Sequence, residues 1–110
     1  MKLFTKEILK RLPKLGTTSE LSMSEVTVQA KLFNPMGAHT WYLIEYDPES
    51  KIAHAFCNLG DPQMAEIGDV SITELEELRL PLGLGIERDI HFEPRNLKEI
   101  YDLVKAGKHV

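Results

Sequence analysis

The chain contains 110 residues, of which 43% are hydrophobic and 27% are charged. This length and composition predict one globular domain over residues 1–110 and exclude a disordered chain. The net charge of −4 argues against non-specific binding to nucleic acid phosphates, and the single cysteine, Cys57, excludes a disulfide framework and a cysteine-rich zinc site.

The first predicted element is a short helix. Thr5 is placed to cap its first turn, Phe4 and Leu9 occupy the two positions of a hydrophobic staple, and Pro13 ends it. Residues 14–24 are rich in Ser, Thr and Gly, which predicts a polar connector.

Hydrophobic alternation predicts the strands that follow. In residues 26–33 the inward positions are Val26, Val28, Ala30 and Leu32. Residues 40–46 are rich in aromatic and branched side chains, and residues 52–57 return after the four-residue turn 47–50, so these segments predict a β-hairpin. Residues 65–70 predict a short fourth strand.

Two capping motifs predict the remaining helices. Ser71 with Glu74 forms a capping box, which predicts a helix from Ile72 to about residue 80. Residues 86–92 alternate again and predict a last strand, after which Asn96 caps a final helix. Strands joined by short turns with helices elsewhere are typical of an α+β fold. We expect an antiparallel sheet of four to five strands packed with two or three helices in two layers.

Arg88 is the most informative single residue. The period of two places it on the inward face of the last predicted strand, with Ile86, Ile90 and Phe92. A guanidinium cannot be deprotonated there and needs a partner, for which Glu45 and Glu66 are the candidates. Two interpretations stay open: an ion pair that fixes strand register, or a ligand anchor at the sheet edge.

The charge is unevenly distributed along the chain. Residues 1–14 carry five Lys and Arg against one acid, whereas residues 61–93 carry nine acids against two Arg. An acidic face in this second region predicts a non-enzymatic interaction protein with a basic protein partner, although a solvated surface has the same pattern. The candidate contacts are Glu74, Glu77, Glu87, Arg88, Asp89 and His91.

A second function class is a nucleic-acid-associated accessory module. Its candidate contacts are basic residues of the first helix and one aromatic residue: Lys6, Lys10, Arg11 and Trp41. Aromatic residues in so apolar a strand are also typical of a core.

A small hydrolytic enzyme is the third class. It requires a cleft that brings Glu45 or Asp47 close to Arg88 or His54. The chain has no nucleophile-elbow motif, so no catalytic residue is predicted.

No metal, cofactor or membrane contact is predicted either. His54 and Cys57 point to opposite faces of their strand and cannot share a metal. Gly83 and Gly85 follow a helix and enter a strand, the reverse of the order in a phosphate-binding loop. The apolar runs are too short to span a bilayer and charge interrupts the first residues, so we expect a cytoplasmic protein.

Three spaced motifs carry a family resemblance: residues 41–49 (WYLIEYDPE), residues 66–68 (EIG) with 71–76 (SITELE), and residues 81–84 (PLGL) with 86–94 (IERDIHFEP). Together they resemble the domain of unknown function 2958 family over about residues 8–98. The resemblance implies a small bacterial protein of plasmids, phages and integrative elements. It implies no activity, cofactor or catalytic residue.

Overall fold

The computed structural model describes residues 2–110, which form a five-stranded antiparallel sheet, a two-stranded ribbon and three α-helices. The helices are α1 (Lys6–Arg11), α2 (Ile72–Glu77) and α3 (Leu97–Lys105). The strands are β1 (Thr27–Val28), β2 (Ala30–Phe33), β3 (His39–Asp47), β4 (Ile52–Leu59), β5 (Glu66–Ser71), β6 (Glu87–Arg88) and β7 (Arg95–Asn96). The main sheet has the order β5-β4-β3-β2-β6, and β1 pairs with β7. The predicted α+β class is confirmed.

The predicted hairpin is formed by β3 and β4. Its register pairs Asp47 with Ile52 across the turn, and Lys51 takes the left-handed conformation that a tight turn needs, with φ of 59°. The predicted fourth strand is also present as β5, which pairs with β4 along its whole length.

Hydrophobic residues cover both faces of the main sheet. On one face Trp41, Leu43 and Tyr46 pack against α1 and α2, which contribute Ile8 and Ile72. We call this the α1–α2 face. The opposite α3 face is a separate cluster that contains Tyr42, Ile44, Phe56 and Ile100.

The sheet is therefore the middle of three layers, where two layers are predicted. The physical reason lies in β3, in which residues 41–46 are all buried. A strand that is apolar on both faces needs a cover on both faces.

Side-chain caps start the helices at the predicted residues. Thr5, Ser71 and Asn96 accept hydrogen bonds from the backbone N–H groups of the third helical residues. The helix α2 ends at Glu77, before the predicted residue 80, because Leu78 is already extended. Leu9, expected to pack in the hydrophobic staple, is 42% exposed.

The predicted strand 26–33 is broken at Gln29. Val28 packs in the α3-face cluster, whereas Ala30 packs in the α1–α2-face cluster, so the inward residues do not share one face. The Gln29 N–H donates to the carbonyl of Leu43 between the two short strands. A break of one residue reverses the face to which every later side chain points.

The predicted strand 86–92 is also shorter than its pattern indicates. Strand β6 ends at Arg88, and the Phe92 N–H donates to the carbonyl of Asp89 in a turn. Ile90 is consequently 69% exposed, and Phe92 packs against the α3-face cluster.

Candidate functional site

A cavity of about 390 Å³ lies on the α3 face, where β3, β4 and β5 run beneath the connector of residues 14–24. It contains three ionisable side chains on three neighbouring strands: Glu45 on β3, His54 on β4 and Asp69 on β5. The strand registers pair Glu45 with His54 and His54 with Asp69, so the three residues form a row across the sheet.

A β-bulge lies next to Glu45 in β3. The register of β3 against β4 shifts between Leu43 and Glu45, so that Ile44 and Glu45 both line the cavity. Tyr46 then packs on the opposite, α1–α2 face. A bulge re-aims side chains in this way because two residues oppose one on the neighbouring strand.

Glu45 ties the connector to the sheet. Only 3% of the residue is exposed, and both carboxylate oxygens are hydrogen-bonded. One accepts from the N–H of Gly16 at 3.0 Å, and the other accepts from the N–H and the Oγ1 of Thr18, both at 2.6 Å. Burial by itself raises the pKa of Glu45, but the hydrogen bonds from Thr18 and Gly16 outweigh it and hold the pKa below its usual value.

His54 and Asp69 form a pair at the mouth of the cavity. The His54 Nδ1 lies 3.0 Å from Asp69 Oδ1, with the imidazole about one-third exposed and the carboxylate about two-thirds exposed. A carboxylate in this position orients an imidazole, as in general-base pairs. The walls of the cavity are largely apolar: Leu15, Leu21, Met23, Ile44, Ile67 and Leu97.

One requirement of the hydrolytic alternative is fulfilled, namely a cleft that contains Glu45 and His54. Arg88, in contrast, is at the far edge strand β6. Among residues 2–110, however, no hydroxyl or thiol hydrogen-bonds to His54, so the activated nucleophile of a hydrolase pair is not assembled. The cavity thus has largely apolar walls and one end lined by Glu45, His54 and Asp69.

A second candidate surface lies along the outer side of β5. Within the described residues no strand pairs with this side. The carboxylates of Asp61 and Glu66 are exposed beside this strand, and those of Glu74 and Glu77 are exposed on α2, which follows β5 in the chain. We call these four residues the acidic edge.

The acidic edge includes a shallow groove of about 420 Å³. Leu59 and Met64, which are 61% and 74% exposed, line it together with Gly68. A Cβ added at Gly68 would meet nothing within 4 Å, so the groove is open at this point.

The six predicted partner contacts are divided between α2, on the α1–α2 face, and the edge of the sheet opposite β5. Glu74 and Glu77 lie on α2, whose buried residues pack on the α1–α2 face. Glu87, Arg88, Asp89 and His91 lie in or just after β6, at the opposite edge. Asp89 also forms an ion pair with Lys31 at 3.8 Å and accepts a hydrogen bond from the His91 N–H.

Arg88 holds the N-terminal segment. Its guanidinium donates to the carbonyl of Leu3 at 2.7 Å and to that of Lys2 at 3.2 Å. The predicted carboxylate partners lie elsewhere: Glu45 accepts from Gly16 and Thr18, and Glu66 is on the opposite edge strand. These contacts support the structural interpretation of Arg88 over that of a ligand anchor.

The predicted nucleic acid contacts are not brought into one surface. Lys6 and Lys10 are exposed on α1, but Arg11 donates to Glu7 and to the carbonyl of Gln29. Trp41 is only 6% exposed and packs in the α1–α2-face cluster, so it offers no ring for base stacking.

Cys57 is partly buried and packs against the α1–α2-face cluster. Burial raises the pKa of its thiol to about 11, which leaves little thiolate at neutral pH. In the part of the chain that the structure describes, no group of three His, Cys, Asp or Glu side chains is arranged to hold a metal ion. No helix between residues 2 and 110 is long and apolar enough to cross a membrane.

Sequence reasoning missed Asp69 and the connector as parts of the cavity. The pairing of Glu45 with His54 has a readable signal, because a turn that pairs Asp47 with Ile52 also places residue 45 opposite residue 54. No such signal exists for Asp69. The connection between the end of β4 at Leu59 and the start of β5 at Glu66 is too long to fix the register of β5 against β4.

Comparison with known proteins gives one match. A family model described as "Protein of unknown function (DUF2958)" covers residues 3–108. No curated protein and no solved structure matches the chain. The match spans nearly the whole chain and agrees with the resemblance carried by the three sequence motifs, and the protein therefore belongs to the DUF2958 family.

Proposed function

We propose that this protein is a non-enzymatic accessory protein that binds a basic protein partner along the acidic edge. The observation that supports the proposal is an exposed, unpaired strand with acidic flanks. Residues 61–77 contain six acids and no Lys or Arg, and they form β5 and α2. An acidic surface of this kind attracts a basic partner and repels acidic ones.

The open strand suggests how the partner binds. Edge strands present backbone N–H and C=O groups to solvent, and natural proteins usually cover long edges. In strand addition, an extended peptide hydrogen-bonds to such an edge and its alternate side chains enter nearby pockets. On β5 the peptide would place an apolar side chain in the groove at Gly68 and basic side chains beside Asp61 and Glu66.

Two cations lie near the acidic edge without neutralising it. The Lys105 Nζ donates to the carbonyls of Gln63 and Ala65, on the α3 side. Arg79 donates to the carbonyls of Glu76 and Glu77 at the end of α2. The carboxylates of Glu66 and Glu74 stay exposed.

The setting of this function follows from the family resemblance. It implies a bacterial protein of mobile elements, and we place the protein in the cytoplasm, where its partner would act in transfer, replication or counter-defence. Fold-level and family-level association supplies this context, and it does not name a partner.

Affinity capture tests the proposal. The tagged protein is used to capture partners from bacterial lysate after nuclease treatment, in parallel with a Glu66→Lys/Glu74→Lys variant. The matched control is Glu20→Lys/Glu93→Lys, which reverses two exposed charges elsewhere. We expect a nuclease-resistant basic partner that the control retains and the edge variant loses by about tenfold or more.

Other outcomes contradict the proposal. Equal capture by both variants would exclude the acidic edge, and a partner that disappears on nuclease treatment would favour the nucleic acid alternative. A Glu87→Lys variant in the same assay tests the other half of the predicted contacts, at the β6 edge.

A further inference from the structure

The cavity at Glu45 and the groove of the acidic edge share Asp69 but are otherwise lined by different residues. The cavity lies on the α3 face, beneath residues 14–24, whereas the groove at Gly68 lies beside Cys57 and Leu59. Its volume of about 390 Å³ is within the range of small-molecule sites. A ligand in this cavity would therefore be separate from the protein partner proposed above.

The walls provide apolar contact. Three of the large hydrophobic side chains exposed on the molecule converge on this cavity: Leu15, Leu21 and Ile67, each between 38% and 44% exposed. Exposed apolar residues that gather at the mouth of a cavity are typical of ligand sites, whereas scattered ones need no explanation.

The polar end has a defined charge. Glu45 and Asp69 carry the negative charges, His54 is the third ionisable group, and none of the Lys and Arg residues between positions 2 and 110 lines the cavity. Glu45 is fixed by three hydrogen bonds from the connector and cannot turn away into solvent. A fixed carboxylate in a site of low exposure attracts a cation strongly and repels an anion.

We propose that this cavity binds a small organic cation that consists of an ammonium group on an apolar body. The ammonium group lies at the polar end, over the row of Glu45, His54 and Asp69, and the apolar body contacts Leu21 and Ile67. The connector lies over the ligand, and its Gly16 and Thr18 amides report on it because they hydrogen-bond to Glu45.

Three probes of nearly the same shape test the charge requirement. These are 2-phenylethylammonium, neutral 2-phenylethanol and anionic 3-phenylpropionate, each titrated into the ¹⁵N-labelled full chain at pH 7. We expect the cation to shift the amide signals of Gly16 and Thr18 and to bind about tenfold more tightly than the alcohol, a difference of one decade in Kd. The carboxylate probe should not bind.

A pair of variants tests the location. Ile67→Arg places a cation at the mouth of the cavity, and Met64→Arg places the same charge on the same side of the molecule but outside the cavity. Both original side chains are exposed, so both variants should fold. We expect Ile67→Arg to weaken binding of 2-phenylethylammonium by about tenfold or more, and Met64→Arg by less than about twofold.

Three results would overturn the proposal: no shift with the cation, equal binding of the alcohol, or equal weakening by both variants, since the last indicates diffuse attraction to the acidic surface. Ile67→Arg should weaken binding of the small cation, whereas the substitutions at Glu66 and Glu74 should weaken capture of the protein partner. Met64 lines the groove of the acidic edge and not the cavity. The two proposals are therefore tested separately.

Discussion

At the β6 edge of the main sheet an arginine side chain holds the N-terminal segment of the chain, whereas at the β5 edge the strand is flanked by exposed acidic side chains. Next to β6, Arg88 holds the backbone of Lys2 and Leu3, and Leu3 is completely buried. Along β5 no segment within residues 2–110 pairs with the outer side, and acidic side chains are exposed there.

The two edges show two solutions to the same problem. A free strand edge invites pairing with another chain, and proteins shorten it, cover it or charge it. In this protein the edge strand β6 is shortened to two residues, whereas β5 has six residues and is flanked by exposed acids. The longer edge is thus the one left accessible, which is why the partner proposal is centred there.

The largest expected effect is in the segment that Arg88 holds. Replacing Leu3 by Ala removes a fully buried side chain from the α1–α2-face cluster and should lower the free energy of unfolding by about 2–5 kcal/mol. The matched change at the open edge is Ile67→Ala, where the side chain is already 38% exposed. Ile67→Ala should lower the free energy of unfolding by less than about 1 kcal/mol. Urea denaturation measures both, and equal losses would contradict the comparison.

Arg88 is the next test, because it distinguishes an internal tie from a ligand anchor. Arg88→Met removes the hydrogen bonds to the carbonyls of Lys2 and Leu3 and should destabilise the fold by about 1–3 kcal/mol. Hydrogen exchange at the Leu3 amide, which donates to Glu76, should become faster. The control Arg79→Met should change stability by less than about 0.5 kcal/mol. Wild-type stability in Arg88→Met would support the anchor interpretation.

The ionised carboxylate of Glu45 holds the connector through hydrogen bonds, so the stability that Glu45 contributes should depend on pH. The stability that Arg88 contributes should not, because a guanidinium stays protonated. Glu45→Gln should lower the free energy of unfolding by about 1–3 kcal/mol at pH 7. The folded-state pKa of Glu45 lies below the usual 4.5, so the contribution is present above pH 4.5 and is lost as the pH falls through the folded pKa.

Unfolding curves of wild type and Glu45→Gln between pH 7 and pH 3 measure this dependence. The stability difference between the two proteins should shrink in acid. Glu20→Gln, an exposed change in the same connector, should leave the wild-type profile unaltered. A difference that stays constant with pH would contradict the proposed role of the carboxylate.

The smallest expected effect is a gain at the open edge. Gly68 does not have a left-handed φ, and a Cβ there meets nothing within 4 Å. Gly68→Ala should therefore stabilise the protein by about 0.4–1 kcal/mol through the unfolded chain. Gly60, with φ of +113°, is the contrasting position, and Gly60→Ala should destabilise. Thermal denaturation measures the change in stability of both variants. A lower stability of Gly68→Ala would show that the edge is not open.

Local signals in the sequence predicted most of the elements. Thr5, Ser71 and Asn96 start helices because each side chain caps nearby N–H groups, an interaction confined to a few residues. The hairpin of β3 and β4 follows from a short turn, which also fixes the register that sets Glu45 opposite His54. Such features are predictable because the partners are close in the chain.

Features that depend on distant partners were predicted less well. The alternation of residues 26–33 continues through Gln29, yet the chain changes partners there and the later residues face the other side. The pattern of residues 86–92 does not show that pairing ends at Arg88. The cavity needs Gly16 and Thr18 to meet Glu45, a contact between residues 27–29 positions apart that no local pattern encodes.

By itself, the sequence determined the α+β class, the capped helix starts, the central hairpin, the acidic segment and the family. These follow from hydrophobic period, from capping and turn residues, from charge and from motifs, all of which act within short stretches of chain. Only the tertiary structure decided that the sheet is covered on both faces, that Trp41 is buried, that Arg88 is tied to Leu3, and that Glu45, His54 and Asp69 share a cavity. The physical reason is that these features depend on which distant segments bury each other's surface, and many pairings of the same local elements satisfy the local rules equally well.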